Sequence, residues 1–200
     1  MRAHLSRIVN RPRSIIDPRR EFLRQNIDPT LLEDDGVIAR MATRLKSSVD
    51  RLAILCLASK VTNLLLWSHY ADKHQGCCLK FRTDISGDWF SQALRVRYQS
   101  DFPVIRLLDE PDDQRINKLL LTKASAWRYE GEWRVIDPKR RAHHQFIPAS
   151  LVGIIFGLKM SARPRSIIRE WLREREYPVK VYGAATSEER GFRVKIDRIS

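Results

Sequence analysis

Asn63-Leu64-Leu65-Leu66-Trp67-Ser68-His69-Tyr70-Ala71-Asp72-Lys73-His74-Gln75-Gly76-Cys77-Cys78-Leu79-Lys80-Phe81 changes its period part-way along. Leu64, Trp67 and Ala71 recur at helical spacing, with Leu65 and Leu66 beside them, so Asn63 to Ala71 is expected to be a helix with one apolar face. Gly76 can end it, and Cys77 to Phe81 then resumes as a strand. A short helix feeding directly into a buried strand argues against an all-helical or all-strand chain.

The same interleaving continues outward. Upstream, Leu52 to Leu57 is continuously apolar and reads as a buried strand. Residues 1–50 are polar, Arg-rich and helical in tendency, with a proline-containing loop from Asn10 to Pro18. A helix start falls at Asp28-Pro29-Thr30, with Glu33 three residues after Thr30; Val37, Ile38, Met41 and Leu45 follow at helical spacing. Downstream, Leu94, Val96 and Tyr98 alternate as a half-exposed strand. A helix is expected after Asp109 and Pro111, its stripe running Ile116, Leu119, Leu120 and Trp127 with Lys123 on it. Glu132 to Ile136 and Leu151 to Phe156 read as strands, stopped by Asp137-Pro138 and Gly157. Ile167, Ile168, Trp171 and Leu172 give a helix an apolar face, and Val179, Val181, Phe192, Val194 and Ile196 form a last hairpin. The expected fold is α+β: one domain, a mixed, mostly antiparallel sheet with flanking helices. It divides into a helical, Arg-rich segment at 1–50 and an α+β domain at 51–200. Neither a G-x-G-x-x-G nor a G-x-x-x-x-G-K-[ST] pattern occurs, so dinucleotide-fold and P-loop sites of those kinds are not supported.

Two hundred residues with 43% hydrophobic and 30% charged side chains can build a core without disulfides. No apolar run reaches the roughly 18 residues of a membrane helix, and no signal-peptide core is visible, which points to a cytoplasmic protein without a membrane partner. Cys56, Cys77 and Cys78 are odd in number and lack a C-x-x-C pattern, so reduced, buried thiols are expected. The net charge is +13, with 37 Lys and Arg against 24 Asp and Glu. Such an excess suits a polyanionic partner such as nucleic acid, or simply a basic, solvated surface.

Two clusters could carry chemistry. The first runs from Trp67 to His74. A metal site built on His69, Asp72 and His74 would need the helix to break near Asp72, and no metal is expected. Adjacent Ser68 and His69 point to different sides of a helix, against a Ser-His-Asp hydrolase. His69 and Tyr70 at a helix end suit recognition of a planar ligand, a nucleobase or nicotinamide; the plainer reading is burial with backbone partners. The second cluster joins Lys123 to Trp127-Arg128-Tyr129-Glu130-Gly131-Glu132-Trp133-Arg134. Strand alternation would put Glu130, Glu132 and Arg134 on one face and Tyr129, Gly131 and Trp133 on the other. Two neighbouring carboxylates can divide roles, one raised in pKa and one ionised; a surface ion pair is the bland alternative. His143-His144, after Lys139-Arg140-Arg141, reads as a basic loop, and Trp89-Phe90 as core.

On these residues the chain resembles a bacterial family, the domain of unknown function numbered 2971. The resemblance rests on L-C-L-A-S at 55–59, the stretch 63–81 quoted above, V-R-Y at 96–98, L-T-K-A-S-A-W-R-Y-E-G-E-W-R at 121–134 and I-I-F-G at 154–157. It implies a distant likeness to the ADP-ribosyltransferase fold, with members in toxin and phage-defence settings. Carried over, Glu132 becomes the catalytic carboxylate beside an oxocarbenium-like transition state, preceded by Glu130. His69, Tyr70 and Tyr129 line the pocket, Lys123 or Arg134 meets phosphates, and NAD is the substrate. The opening aromatic-basic strand and the F-N-D-P-F-E segment usual in the family are missing, so the resemblance also implies a shortened N-terminus. The alternatives are a non-catalytic nucleic-acid-binding module, or an inactive relic.

Overall fold

The computed structural model describes residues 4–8, 35–106, 110–139, 143–187 and 193–199. The expected loop at 10–18, the helix start at 28–33, Asp109, Arg140, Arg141 and Phe192 lie outside these residues. In chain order the elements are β1 (His4–Ile8), α1 (Asp35–Asp50), β2 (Ala53–Ala58), α2 (Leu64–Tyr70), β3 (Cys77–Arg82), β4 (Leu94–Arg95), β5 (Arg97–Gln99), α3 (Asp112–Leu120), β6 (Thr122–Ala124), β7 (Glu132–Asp137), β8 (Leu151–Phe156), α4 (Ala162–Arg173), β9 (Lys180–Thr186) and β10 (Val194–Arg198). Short 3-10 turns occupy Trp89–Gln92, Ser125–Glu130 and Pro148–Ser150.

Among the described residues, eight strands form one sheet in the order β10-β9-β8-β3-β1-β2-β7-β4. All its pairings are antiparallel except β8 with β9, which are joined through α4. The chain is an α+β domain with a mostly antiparallel sheet. Strand alternation gives the sheet two faces. Trp67 and Ala71 of α2 pack on one face against Cys78, Ile155, Ala184 and Val194. On the other face Leu57, Val135, Phe81 and Leu151 bury Phe90, while Ile168 and Leu172 of α4 pack near Ile154, Phe156 and Val181. Trp67 is fully buried, and its indole nitrogen donates to Val61 O at 2.6 Å.

Several local expectations change. Helix α1 carries the predicted apolar spacing and buries Leu45 and Val49, but His4–Ile8 is a strand held between β2 and β3. Five residues carry too little period to declare themselves, and pairing on both sides decides. Leu94 to Tyr98 is not one strand: β4 joins the main sheet, β5 pairs in parallel with β6, and buried Val96 lies between. The stripe from Ile116 to Trp127 is likewise not one helix. Helix α3 closes at Leu121, whose N–H bonds Asn117 O, so Lys123 is a strand residue. On α4, Ile168 and Leu172 pack inward, whereas Trp171 is 64% exposed. Of the three free thiols, Cys78 is buried, Cys77 half-buried and Cys56 exposed, against the expectation of burial for all.

Gly157 closes the strand–helix junction. Its N–H bonds Gly76 O at 2.9 Å, and a Cβ there would sit 2.6 Å from that oxygen and overlap His74 O as well. Both obstacles are backbone, so no rotamer relieves them. Gly157→Ala is expected to cost about 2–3 kcal/mol, read as a lower urea midpoint. A midpoint within error of wild type would contradict this packing.

Candidate functional site

A cleft of about 380 Å³ opens over β2 and β7. That volume lies at the small end of ligand pockets. Ile54, Cys56 and Ala58 of β2 form part of its lining, and α2 supplies Leu66 and Tyr70 from successive turns. Lys123, Glu130, Glu132 and Arg134 complete its polar wall.

Local structure sets each of these groups. Asn63 caps α2 by accepting from Leu65 N at 2.9 Å, and its amide donates to Tyr129 O at 2.8 Å. One side chain thus fixes the helix carrying Tyr70 to the turn carrying Glu130. The expected strand does not extend back to Glu130, because Ser125–Glu130 is a 3-10 turn that ends at Gly131 in the left-handed region, φ +54°. The reversal at Gly131, and not strand alternation, brings Glu130 next to Glu132. Ser59 N–H and Oγ both donate to Gly131 O, at 3.1 and 3.0 Å. Glu132 is held on its backbone from two sides: its N–H donates to Tyr98 Oη at 2.7 Å, and its carbonyl accepts from Val96 N at 3.1 Å.

The side chains form one connected network. Lys123 Nζ donates to Glu130 Oε2 and, at 2.9 Å, to Glu132 Oε2. Tyr70 Oη donates to Glu130 Oε1 at 2.8 Å. Arg134 holds Glu132 through Nε to Oε1 at 2.7 Å and Nη2 to Oε2 at 3.2 Å, while its Nη1 donates to Leu120 O. Glu130 and Glu132 are both buried, at 3% and 5% exposure, so these ion pairs are shielded from water, which sets aside the alternative of a surface pair. Burial alone would raise the Glu132 carboxyl, but Arg134 and Lys123 outweigh it and hold the group at about 2. Burial would likewise lower Lys123, yet the two carboxylates raise it. Tyr70 is pushed up by burial and by its bond to Glu130. Cys56 opens onto the cleft, yet desolvation there and the facing Glu132 carboxylate push its thiol up to about 12.

Of the residues expected from sequence, Tyr70, Lys123, Glu130, Glu132 and Arg134 converge here. His69 and Tyr129 are not in the cleft lining: His69 is exposed, its ring edge-on to Tyr70 at 6.2 Å, and Tyr129 contributes its carbonyl to Asn63. The resemblance implies that Lys123 or Arg134 meets phosphates; both already neutralise carboxylates. Tyr98 and Cys56 were not singled out as site residues; V-R-Y in the family resemblance was the available signal for Tyr98. His144 is not a loose basic-loop residue, since it bonds the fully buried Asp137 at 2.7 Å and stacks on Trp89 at 3.5 Å. Among the described residues no three His, Cys, Asp or Glu gather as a metal site requires.

The turn after α2 is strained. Asp72, Lys73 and His74 have φ of +46°, +51° and +74°, a run that non-glycine residues rarely adopt. Ser68 Oγ donates to Leu64 O at 3.1 Å and accepts from His74 Nε2 at 3.0 Å. This leaves buried Nδ1 without a partner among the described residues. Burial and the charge of Lys159 hold His74 below its ordinary 6.5. The folded state therefore resists a proton that the unfolded chain accepts, and stability is full above 6.5 and falls as pH drops below it. His74→Asn, which tolerates the left-handed backbone, is expected to flatten the fall in urea midpoint as pH drops below 6.5. An unchanged slope would contradict this account of His74.

The fold and cleft define a mostly antiparallel α+β domain built around buried, paired carboxylates. Residues 66–135 of the chain carry the domain pattern of the family described as "Protein of unknown function (DUF2971)", whose family model matches them. The match is narrower than the motifs quoted above, excluding L-C-L-A-S and I-I-F-G but containing Tyr70, Lys123, Glu130, Glu132 and Arg134. No curated protein matches the chain, and no solved structure does.

Proposed function

We propose that the chain is an NAD-using ADP-ribosyltransferase-like enzyme of the toxin or defence type, with Glu132 as its catalytic carboxylate. The observation that carries this reading is the pair of buried carboxylates joined through Lys123 on the cleft wall, with Glu132 held near 2. Breaking the bond between nicotinamide and ribose leaves positive charge on the sugar, and an ionised carboxylate fixed beforehand stabilises it without reorganising. Glu132 cannot serve as a general acid at neutral pH, so its role is electrostatic. Glu130 takes the proton of the incoming acceptor as the acceptor oxygen or nitrogen bonds to the sugar and nicotinamide leaves. Tyr70 orients Glu130, and Lys123 prevents the two carboxylates from repelling each other. Arg134 keeps Glu132 fixed and charged. All three cysteines are free thiols, which supports a cytoplasmic setting. Among the described residues no helix is long and apolar enough to cross a membrane.

Incubation with labelled NAD and a bacterial lysate tests the reading. Label is expected in macromolecules, and separate nuclease and protease treatments assign the acceptor class. An unlabelled lysate, with NAD intact, would count against it.

One surface favours a second reading. Helix α4 carries exposed Trp171 and exposed Arg163 and Arg173, residue types that a non-catalytic binder of single-stranded nucleic acid uses. Such binding would weaken steeply with salt and be indifferent to Glu132.

A further inference from the structure

Directly paired residues on neighbouring strands share a face of the sheet. One such row starts at the cleft: Glu132 pairs with Ala58, Ala58 with Ser6, Ser6 with Lys80, Lys80 with Gly153 and Gly153 with Lys180. Tyr182 lies two residues beyond Lys180 on β9 and pairs with Arg198 of β10, so both join the same face. Strands lie about 4.8 Å apart, which puts Lys80 roughly 14 Å from Glu132 along the row. Gly153 lets two side chains close over it, since a Cβ there would stand 3.2 Å from Tyr182 Cε2 and 3.4 Å from Lys80 Cβ. Lys80 Nζ is 5.7 Å from the Tyr182 ring centroid, a contact that steadies the ammonium without neutralising it. At the cleft itself the stem of exposed Lys60 lies against Gly131, with Cγ 3.9 Å from the position a Cβ would take there.

These cations differ from those of the polar wall. Lys123 and Arg134 are held by Glu130 and Glu132. Lys60, Lys80, Lys180 and Arg198 have no carboxylate partner among the described residues. Lys60, Lys180 and Arg198 are exposed and Lys80 is half-buried. A polyanion therefore meets neutralised charge inside the cleft, one unpaired cation at its rim and three more on the sheet face it opens from. A phosphodiester chain carries a negative charge at every residue and suits this spread, whereas a protein would have to present a run of acids.

We infer that the acceptor is a single strand of nucleic acid, bound along this face from Lys60 to Lys80, Lys180 and Arg198, with its reacting nucleotide in the cleft. The reaction rests on the transferase reading proposed above; the binding surface does not. The bond between nicotinamide and C1′ of the ribose breaks, and nicotinamide leaves with the bonding electrons. A nitrogen or hydroxyl oxygen of the nucleotide bonds to C1′, and its proton passes to Glu130. A cleft of about 380 Å³ suits one unstacked nucleotide and not a base pair, which favours a single strand over a duplex.

Fluorescence anisotropy of labelled single-stranded oligonucleotides, DNA and RNA of one sequence, titrated with the whole chain over a range of salt, tests the inference. Wild type should bind at least one of them, with log affinity falling linearly in log salt. Each phosphate contact contributes about 0.7 to that slope, so the triple variant Lys80→Gln, Lys180→Gln, Arg198→Gln should flatten it by about 2 and weaken binding at least about tenfold. Lys180→Gln with Arg198→Gln, both exposed positions, should flatten it by about 1.4, and this pair serves if Lys80→Gln loosens the fold. Polyglutamate should not compete. A wild type that binds neither strand would overturn the inference, as would an unchanged slope in the pair, equal competition by polyglutamate, or a loss seen only in Arg163→Gln with Arg173→Gln on α4. Nicotinamide release from NAD with no label reaching a bound strand would also overturn it while leaving the transferase reading in place. Binding through these cations with no nicotinamide released would support the surface and defeat the transferase reading, so the two failures are separable.

Discussion

Lys123→Met is expected to destabilise the fold by about 3–5 kcal/mol, read as a lowered urea midpoint at pH 7. Lys123 Nζ is the bridge between Glu130 and Glu132, whose side chains are 4% and 6% exposed. Removing the ammonium leaves two carboxylates side by side with little water to solvate them. Arg134 still pairs with Glu132, but Glu130 retains only the Tyr70 hydroxyl among its described side-chain partners. Adding Glu130→Gln to Lys123→Met removes the uncompensated charge and should recover about half of the loss or more. Because the two residues touch, this recovery is a coupling that independent effects would not produce. A loss below about 1 kcal/mol, or no recovery in the double variant, would mean that the network is solvated and weak.

Acid should reveal the same network. The Glu132 carboxyl sits at about 2 instead of 4.5. Its contribution to stability is complete above 4.5 and disappears as pH falls toward 2, where the folded state must also accept the proton. This loss begins below 4.5, whereas that of His74 begins below 6.5, so the two start at different pH.

Much of this arrangement was legible in the sequence because its decisive elements are local. The change of period between Leu64 and Phe81 gave the helix and following strand at nearly the expected boundaries, and Glu132 to Ile136 behaved likewise. The convergence of Lys123, Glu130, Glu132 and Arg134 was also anticipated, although the cause assigned to it was wrong. Strand alternation was expected to align the two glutamates, whereas a 3-10 turn and a left-handed glycine do so. The rest depends on contacts distant in sequence. Tyr98 supports Glu132 from 34 residues away through its hydroxyl, a use no local pattern announces. The split of Leu94 to Tyr98 follows from β5 finding β6, a pairing that short apolar alternation cannot specify. His144 looked like part of a basic loop because its partner, Asp137, was read only as a strand stop.

The role of Glu132 is decided by the rate of nicotinamide release from NAD, compared between wild type and Glu132→Gln, with folding checked by the urea transition. This reaction can proceed with water and so does not require the acceptor to be known. The variant keeps the size and polarity of the side chain and removes the charge. Wild type is expected to release nicotinamide with no activity limb from Glu132 anywhere above pH 4.5, and a folded Glu132→Gln to be slower by about 100-fold or more. Release by Glu132→Gln at the wild-type rate, or no release by wild type, would contradict this role of Glu132.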